Sequence, residues 1–208
     1  MLSKYSDLLK QANKTTNLTS SKENIDFHID ASVLWGSEIT TFITGNILDI
    51  GSGGGFPAIP LLLTISGDYQ YTLLDSVSKK VNHLNHFIAE LEITNATAIH
   101  TRIEDHAATH RQSYDVVTAM AVAPLNTLLE YALPLLKVGG HLLAFKGLNL
   151  DTEIAEAKNA LGILGGEVVN VFTKTLGDRT HNLCVIKKTK PTNPLYPRGG
   201  NKPRIKPL

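Results

Sequence analysis

Apolar positions along the chain follow two rhythms. Near the N-terminus Leu2, Tyr5, Leu8 and Leu9 recur at helical spacing and predict a short amphipathic helix. Asn13 to Ser21 (NKTTNLTSS) is polar and predicts a loop. Ile25, Ile29, Val33 and Leu34 predict a second helix over Asn24 to Phe42. From Asn46 onward, short apolar runs alternate with longer amphipathic stretches. NILDI predicts a buried strand, GSGGGF a glycine turn, and PAIPLLLTI a helix with Pro57 near its first position. YTLLD is a second strand, SKKVNHLNHFIAELE a helix and TAIH a third strand. YDVVTAM, LNTLLEYALPLL and GGHLLAFKG continue as strand, helix and strand, and EIAEAKNALGIL is a further helix. EVVNVF and HNLCVIKK then follow with no helix-length segment between them.

Strands that alternate with helices need right-handed crossovers and a parallel sheet covered on both faces. The final two strands can only pair as an antiparallel addition. The expected architecture is α/β: a mostly parallel seven-stranded sheet with an antiparallel final strand and helices on both faces. Residues 1–44 form an N-terminal helical extension, 45–188 the sheet domain and 189–208 a tail.

Composition narrows the class. The chain has 208 residues, 42% hydrophobic and 19% charged, as expected of an ordinary globular domain. No apolar run is long enough for a membrane span, and MLSKYSDLLK lacks the apolar core of a secretory signal. A single cysteine, Cys184, excludes an internal disulfide framework and a cysteine zinc cage. A cytoplasmic protein is expected.

The net charge of +1 conceals a split. Seven basic residues and no acid lie between Lys187 and Leu208, leaving 13 basic against 19 acidic residues before them. Five of the nine prolines also lie in this tail. An acidic body with a basic, proline-rich end suits a tail that meets phosphates; the plainer alternative is a solubilising disordered end.

Asp49-Ile-Gly51-Ser-Gly53-Gly-Gly55 closes the first strand of the sheet, where open α/β sheets hold their ligands. Such a turn can bind S-adenosylmethionine, bind a dinucleotide, or simply be tight. A P-loop is excluded, because no G-K-[ST] follows. Gly53 to Ala58 matches the dinucleotide pattern G-x-G-x-x-A, but Pro57 removes an amide where a pyrophosphate would be held. Asp49 is placed to receive the cationic amino group of S-adenosylmethionine. Asp75 ends the second strand, 26 residues later, where a carboxylate can accept both ribose hydroxyls or simply cap the following helix. Ile103 and Glu104, after the third strand, can frame an adenine. Together with the antiparallel end of the sheet, these residues favour an S-adenosylmethionine-dependent, class I (Rossmann-like) methyltransferase. An NAD-binding oxidoreductase is the rival.

The target is narrowed by what is missing. Ala119 to Leu125 reads AMAVAPL, not the Asn/Asp-Pro-Pro-aromatic loop used on exocyclic amines. Attack from cytosine C5 needs a cysteine nucleophile, and Cys184 lies in an apolar strand where a packed thiol is expected. For a ribose hydroxyl, Lys146 with Asp115 makes a thin case. Guanine N7 carries an in-plane lone pair and no proton, so it needs only positioning and exclusion of water. The histidine pairs His83/His86 and His106/His110 lack a third ligand nearby, so surface histidines and no metal are expected.

With these residues in view, the chain resembles the RsmG family, also called glucose-inhibited division protein B. NKTTNLT (13–19) is similar to the family's N-K-x-x-N-L-T, and LDIGSGGGFPAIPL (48–61) to its glycine signature. LLDSVSKKVNHL (73–84), Phe145-Lys146-Gly147 and the tail VIKKTKPTNPLYPRGGNKPRIKPL resemble further family motifs. The resemblance implies guanine-N7 methylation of 16S rRNA, alone or in a precursor small ribosomal subunit, near the decoding centre. It implies cofactor contacts at Gly51, Phe56, Ile103 and Glu104, with Asp75 nearby. The chain departs from the family at Met120, where an arginine is usual, and at Ala31, where an aspartate is usual, with Phe27 at a commonly basic position. If that arginine and aspartate pair, losing both is a compensated change. A ribosome-assembly protein without catalysis is the alternative that Met120 raises.

The combined expectation places S-adenosylmethionine on Asp49, Gly51, Gly53, Gly55, Phe56, Asp75, Ile103 and Glu104. Substrate contacts are expected at Met120, Lys146, Arg198, Lys202 and Arg204, with rRNA phosphates on Lys146 and the tail. Tyr196 is expected either to stack on a base or to dock on the body. No general base, metal or membrane is expected, and the protein is expected to act as a monomer. Removing the tail after Lys188 is expected to spare cofactor binding.

Overall fold

Alternating buried strands and amphipathic helices build a single seven-stranded sheet in the computed structural model, which describes residues 1–19 and 24–208. The strands are β1 (Gly45–Ile50), β2 (Tyr69–Asp75), β3 (Ala96–His100), β4 (Tyr114–Met120), β5 (Leu136–Lys146), β6 (Gly166–Leu176) and β7 (Arg179–Lys188). Their order is β3-β2-β1-β4-β5-β7-β6. β1 pairs in parallel with both β2 and β4, so the strand order reverses between β1 and β4. β7 runs antiparallel to β5 and β6 on either side. One reversed strand in an otherwise parallel sheet is the expected architecture.

Helices α1 (Leu2–Asn13), α2 (Ile25–Val33), α3 (Gly36–Ile39), α4 (Ala58–Thr64) and α5 (Ser78–Glu90) accompany the first half of the sheet. Tyr5, Leu9, Ile29, Trp35, Ile59, Leu84 and Phe87 pack on one face with Ile47, Tyr71, Leu73 and Leu143. The N-terminal helices thus share their core with the sheet. α6 (Ile103–Thr109), α7 (Leu125–Ala132), α8 (Leu150–Glu156) and α9 (Lys158–Leu164) follow. Ala107, Leu128, Leu129, Ala160 and Leu164 cover the other face with Leu48, Val117, Leu142 and Cys184. Burial of the Leu, Ile, Val and Phe side chains among them, each contributing about 1.5–3 kcal/mol when fully enclosed, fixes the two faces.

Three expectations change in detail. The helix expected over Asn24 to Phe42 is broken at Trp35 (φ −101°, ψ 12°), whose ring turns into the core ahead of Gly36. The helix expected over EIAEAKNALGIL is two, α8 and α9, divided at the fully buried Ala157. α6 was not expected at all, since only His106 and Ala107 of its seven residues are buried. Ser20 and Ser21, at the end of the expected N-terminal loop, lie outside the described residues.

The tail also departs from a disordered end. Thr192 is buried and its hydroxyl donates to the Leu164 carbonyl (2.8 Å). Arg111 donates to the carbonyls of Thr192, Asn193 and Tyr196, and the Tyr196 side chain packs on the second core. A last short helix, α10 (Lys202–Ile205), rests on α7, where Thr127 donates to the Pro203 carbonyl (3.0 Å). No helix among the described residues is long and apolar enough to cross a membrane.

Candidate functional site

The loop after β1 and the loop after β4 emerge side by side where the strand order reverses, the usual crevice of open α/β sheets. Gly51 lets these loops approach, and Gly55 lets the turn pack closely on α4. Gly51 has φ +67°, and a Cβ there would meet Val122 Cγ2 at 3.0 Å. Gly55 has φ +105°, and a Cβ would stand 2.6 Å from Ile59 Cδ1. Val122 reaches the glycine loop because Ala121 ahead of it adopts φ +56°, which is uncommon for a side-chain-bearing residue.

Asp75 closes β2 and organises this corner. Its Oδ2 accepts from the Gly53 amide and its Oδ1 from the Val77 amide, both at 2.9 Å. One carboxylate therefore ties the glycine loop to the turn entering α5. Each oxygen retains a second lone pair for a ligand. Helix capping and ligand binding are thus compatible roles for it.

Asp49 sits beneath the loop. It is fully buried and lines neither cavity described below; Thr118, its neighbour across β4, donates to Oδ1 (2.6 Å). Oδ2 has no hydrogen-bond partner among the described residues. Burial pushes the carboxyl up to about 7, against the pull of the Ser52 and Thr118 hydroxyls. Asp49 was expected to receive the cationic amino group directly; buried behind the glycine turn, it reaches neither cavity.

Two cavities open on the crevice. The smaller, about 130 Å³, is lined by Gly51, Leu74, Asp75, Ile103, Glu104 and Tyr131, with Asn201 and Arg204 of the tail. The larger, about 830 Å³, lies between α2, the segment Ala119–Pro124 and the β6–β7 hairpin. Phe27, His28, Ala31, Trp35, Met120 and Phe145 give it an apolar and aromatic floor. Lys146, Glu153, Arg179, His181 and Asn182 stand on its other side. Val122 and Arg204 line both cavities.

The expected site residues are distributed unevenly over these walls. Gly51, Asp75, Ile103 and Glu104 meet in the smaller cavity. Gly53 is joined to it through Asp75, whereas Gly55 and Phe56, expected at the cofactor, line neither cavity and turn toward Ile59, Tyr5 and His28 instead. Phe56 is enclosed by Tyr5, with ring centroids 5.8 Å apart, and by His28, 5.4 Å away. Met120 and Lys146 line the larger cavity. Ser32 Oγ lies 3.8 Å from Met120 Sδ, beside Ala31 on the same wall.

Other residues take different positions from those expected. Lys146 pairs with Glu153 (2.6 Å) and donates to the Ala123 carbonyl, whereas Asp115 is engaged by Lys137, so the two do not meet. Arg198 is turned onto Glu130 and Lys202 is exposed. His106 corrects the expectation of surface histidines. It is 4% exposed, its ring bonds the Tyr114 hydroxyl (2.7 Å), and burial holds it down at about 4. Cys184 is the packed thiol expected, with burial pushing it up to about 12. No cluster of three metal-ligating side chains occurs among the described residues.

Tyr131, Asn201, Trp35 and the residues of the β6–β7 turn line the cavities without any mark in the sequence. Their sequence signals are those of ordinary core, turn and surface positions; only the fold brings them to the crevice. Asn201 and Arg204 also alter the expectation for the tail, since its removal takes away part of the smaller cavity's wall.

An adenosyl methyl donor asks for a carboxylate at its ribose, apolar surface at its base and negative potential near its cationic end. Asp75, Leu74 with Ile103, and the half-satisfied Asp49 fit that demand.

Comparison with known proteins is consistent with this geometry. A family model described as GidB, rRNA small subunit methyltransferase G, matches residues 1–183. The chain is 40% identical to the ribosomal RNA small subunit methyltransferase G of Desulforamulus reducens, over 99% of this chain and 88% of that protein. It is 38% identical to that of Alkaliphilus oremlandii, over 100% and 89%. Among solved structures, M. jannaschii TYW2 in complex with AdoMet superposes with a TM-score of 0.57 at 15% identity, covering 76% of each chain. The [4+2]-cyclase SpnF gives 0.59 at 15% identity, covering 84% of each. A cyclase on the same fold shows that the fold alone does not assign the reaction.

Proposed function

The chain belongs to the GidB family, rRNA small subunit methyltransferase G, and from that premise we propose that it methylates N7 of a guanine in 16S rRNA using S-adenosylmethionine. The observation that carries the guanine-N7 reading is the wall where the two cavities meet. Met120, Ala121, Val122, Ala123 and Pro124 bring no proton-accepting side chain to it. A target nitrogen with a free lone pair and no proton needs none.

When bound, S-adenosylmethionine supplies a methyl group on a sulfonium, and transfer forms the C–N7 bond as the C–S bond breaks. The protein's part is placement. Asp75 meets the ribose hydroxyls while holding the Gly53 amide, and Leu74 and Ile103 flank the base. Asp49 adds negative potential behind the cationic end. The aromatic floor of the larger cavity receives a splayed-out guanine and excludes water from it. The exposed Lys202 faces the rRNA backbone, whereas Lys146 is enclosed at the cavity wall by its pair with Glu153. Arg198 is left out of that contact, because its guanidinium is committed to Glu130. The substrate, free 16S rRNA or a precursor small subunit, places the reaction in the cytoplasm.

Primer-extension or mass-spectrometric detection of N7-methylguanine in 16S rRNA, from cells with and without the gene, tests this reading and identifies the nucleotide. The modification should disappear on deletion and return with the gene. Met120, which offers no charged donor at its wall, favours one rival: an assembly protein that binds rRNA without modifying it. That rival predicts no methyl difference and a subunit-maturation defect.

A further inference from the structure

The tail does more than cover α7. Of the side chains that line both cavities, Arg204 is the only charged one among the described residues, and Val122 is the other. Arg204 Nη2 donates to the Val122 carbonyl at 3.1 Å, and Arg204 shares the wall of the smaller cavity with Tyr131. Val122 in turn presses its Cγ2 into the space above Gly51. A continuous line of contact therefore runs from the tail through the loop after β4 to the glycine turn. The loop needs an external hold, because Ala121 keeps it at φ +56° without glycine's freedom. Met120 supplies no donor there. The short helix carrying Arg204 is itself anchored, by Pro203 on Thr127 and by Arg198, which bridges Glu130 and the Lys206 carbonyl.

We infer that Arg204 is a positioning residue for methyl transfer: by holding the Val122 carbonyl it fixes the loop after β4 against Gly51, and so shapes the wall between donor and target. The tail is thereby part of the methyl-donor site as well as a basic surface. The inference rests on the methyltransferase reading above, and the test separates the two.

S-adenosylhomocysteine is titrated calorimetrically into the full-length wild type and into Arg204→Ala, Arg204→Lys and Lys202→Ala. KM for S-adenosylmethionine and kcat are measured alongside on small-subunit rRNA. Arg204→Ala should weaken S-adenosylhomocysteine binding and raise KM roughly tenfold, the effect of losing one charge-assisted hydrogen bond. Its melting temperature without ligand should stay at the wild-type value, since the side chain is exposed. Arg204→Lys should recover part of the affinity, and Lys202→Ala, whose side chain lines neither cavity, should bind S-adenosylhomocysteine as wild type does while its rRNA contact is weakened. Arg204→Ala with affinity and KM within twofold of wild type overturns the inference. So does an Arg204→Ala protein that melts as low as an Arg198→Ala one, because the role is then structural. Wild-type protein that binds no S-adenosylhomocysteine overturns the methyltransferase reading instead.

Discussion

Arg198 closes on Glu130 with three hydrogen bonds: Nη2 to Oε2 at 2.6 Å, and both Nε and the backbone amide to Oε1 at 2.8 Å. The Glu130 side chain is completely buried, whereas that of Arg198 is one-quarter exposed. A tail arginine thus satisfies an acid in the middle of α7. Arg198→Ala leaves that carboxylate enclosed and unpaired, and should cost about 3 kcal/mol of stability. Thermal melts and protease sensitivity of the tail measure it. The double variant Glu130→Leu/Arg198→Ala removes both charges and should melt higher than Arg198→Ala alone. If it does not, the buried charge is not the cause.

Asp75 is the next point of test. Its carboxylate both shapes the glycine loop, through the Gly53 amide, and faces the smaller cavity. Asp75→Ala should weaken S-adenosylhomocysteine binding roughly ten- to a hundredfold, about 1.5–3 kcal/mol. Asp75→Asn keeps an acceptor for one amide and should fall between. Unchanged affinity in calorimetry would remove Asp75 from the site.

The strands were legible because each is a short apolar run bounded by turn residues, and β1, β2, β4 and β5 are buried along most of their length, whereas β3 at the sheet edge has no buried residue. α6 was not legible, since a helix that buries two residues of seven carries almost no periodic signal. Gly51, Asp75, Ile103 and Glu104 were legible from their places after successive strands of an α/β sheet. The tail's role was not. Its composition is that of a disordered segment, and what orders it is Glu130, Arg111 and Thr127, residues 60 to 90 positions away whose partners no local pattern reveals. Asp49 was legible as the acid of the glycine turn, but its depth beneath the loop, away from both cavities, depends on the pairing of β1 with β4.

That depth gives Asp49 a pH signature. Its folded-state pKa of about 7 lies above the ordinary carboxylate value, so between about pH 4 and 7 the folded state keeps a proton that the unfolded chain has released. Stability therefore falls as pH rises through that window. Asp49→Asn removes the dependence and should gain about 2–4 kcal/mol on the wild type by pH 8. Denaturant melts at pH 5 and pH 8 check it; parallel curves for the two proteins refute it. A cation above the loop favours the carboxylate, so donor binding near pH 6 should release a proton. Calorimetry in buffers of unequal ionisation enthalpy reads that release directly, and Asp49→Asn should show none.

Met120 and Ala31 supply the remaining test, because they line one wall of the larger cavity with Ser32 between them in contact with the Met120 sulfur. In a compensated pair, restoring either partner alone is worse than restoring both. Ala31 is 2% exposed, so Ala31→Asp buries a carboxylate without a matching cation and should cost about 3 kcal/mol. Met120→Arg places a guanidinium on a mainly apolar wall and should cost about 1–3 kcal/mol. If the new groups pair in the double variant, the cycle of four proteins should show a coupling of about 1–3 kcal/mol in denaturant melts. Coupling below about 0.5 kcal/mol, the additivity seen for independent sites, rejects compensation. The same four proteins, assayed on rRNA, separate stability from chemistry. Activity that rises only in the double variant ties the pair to the reaction, whereas activity that follows stability alone makes the exchange a matter of packing.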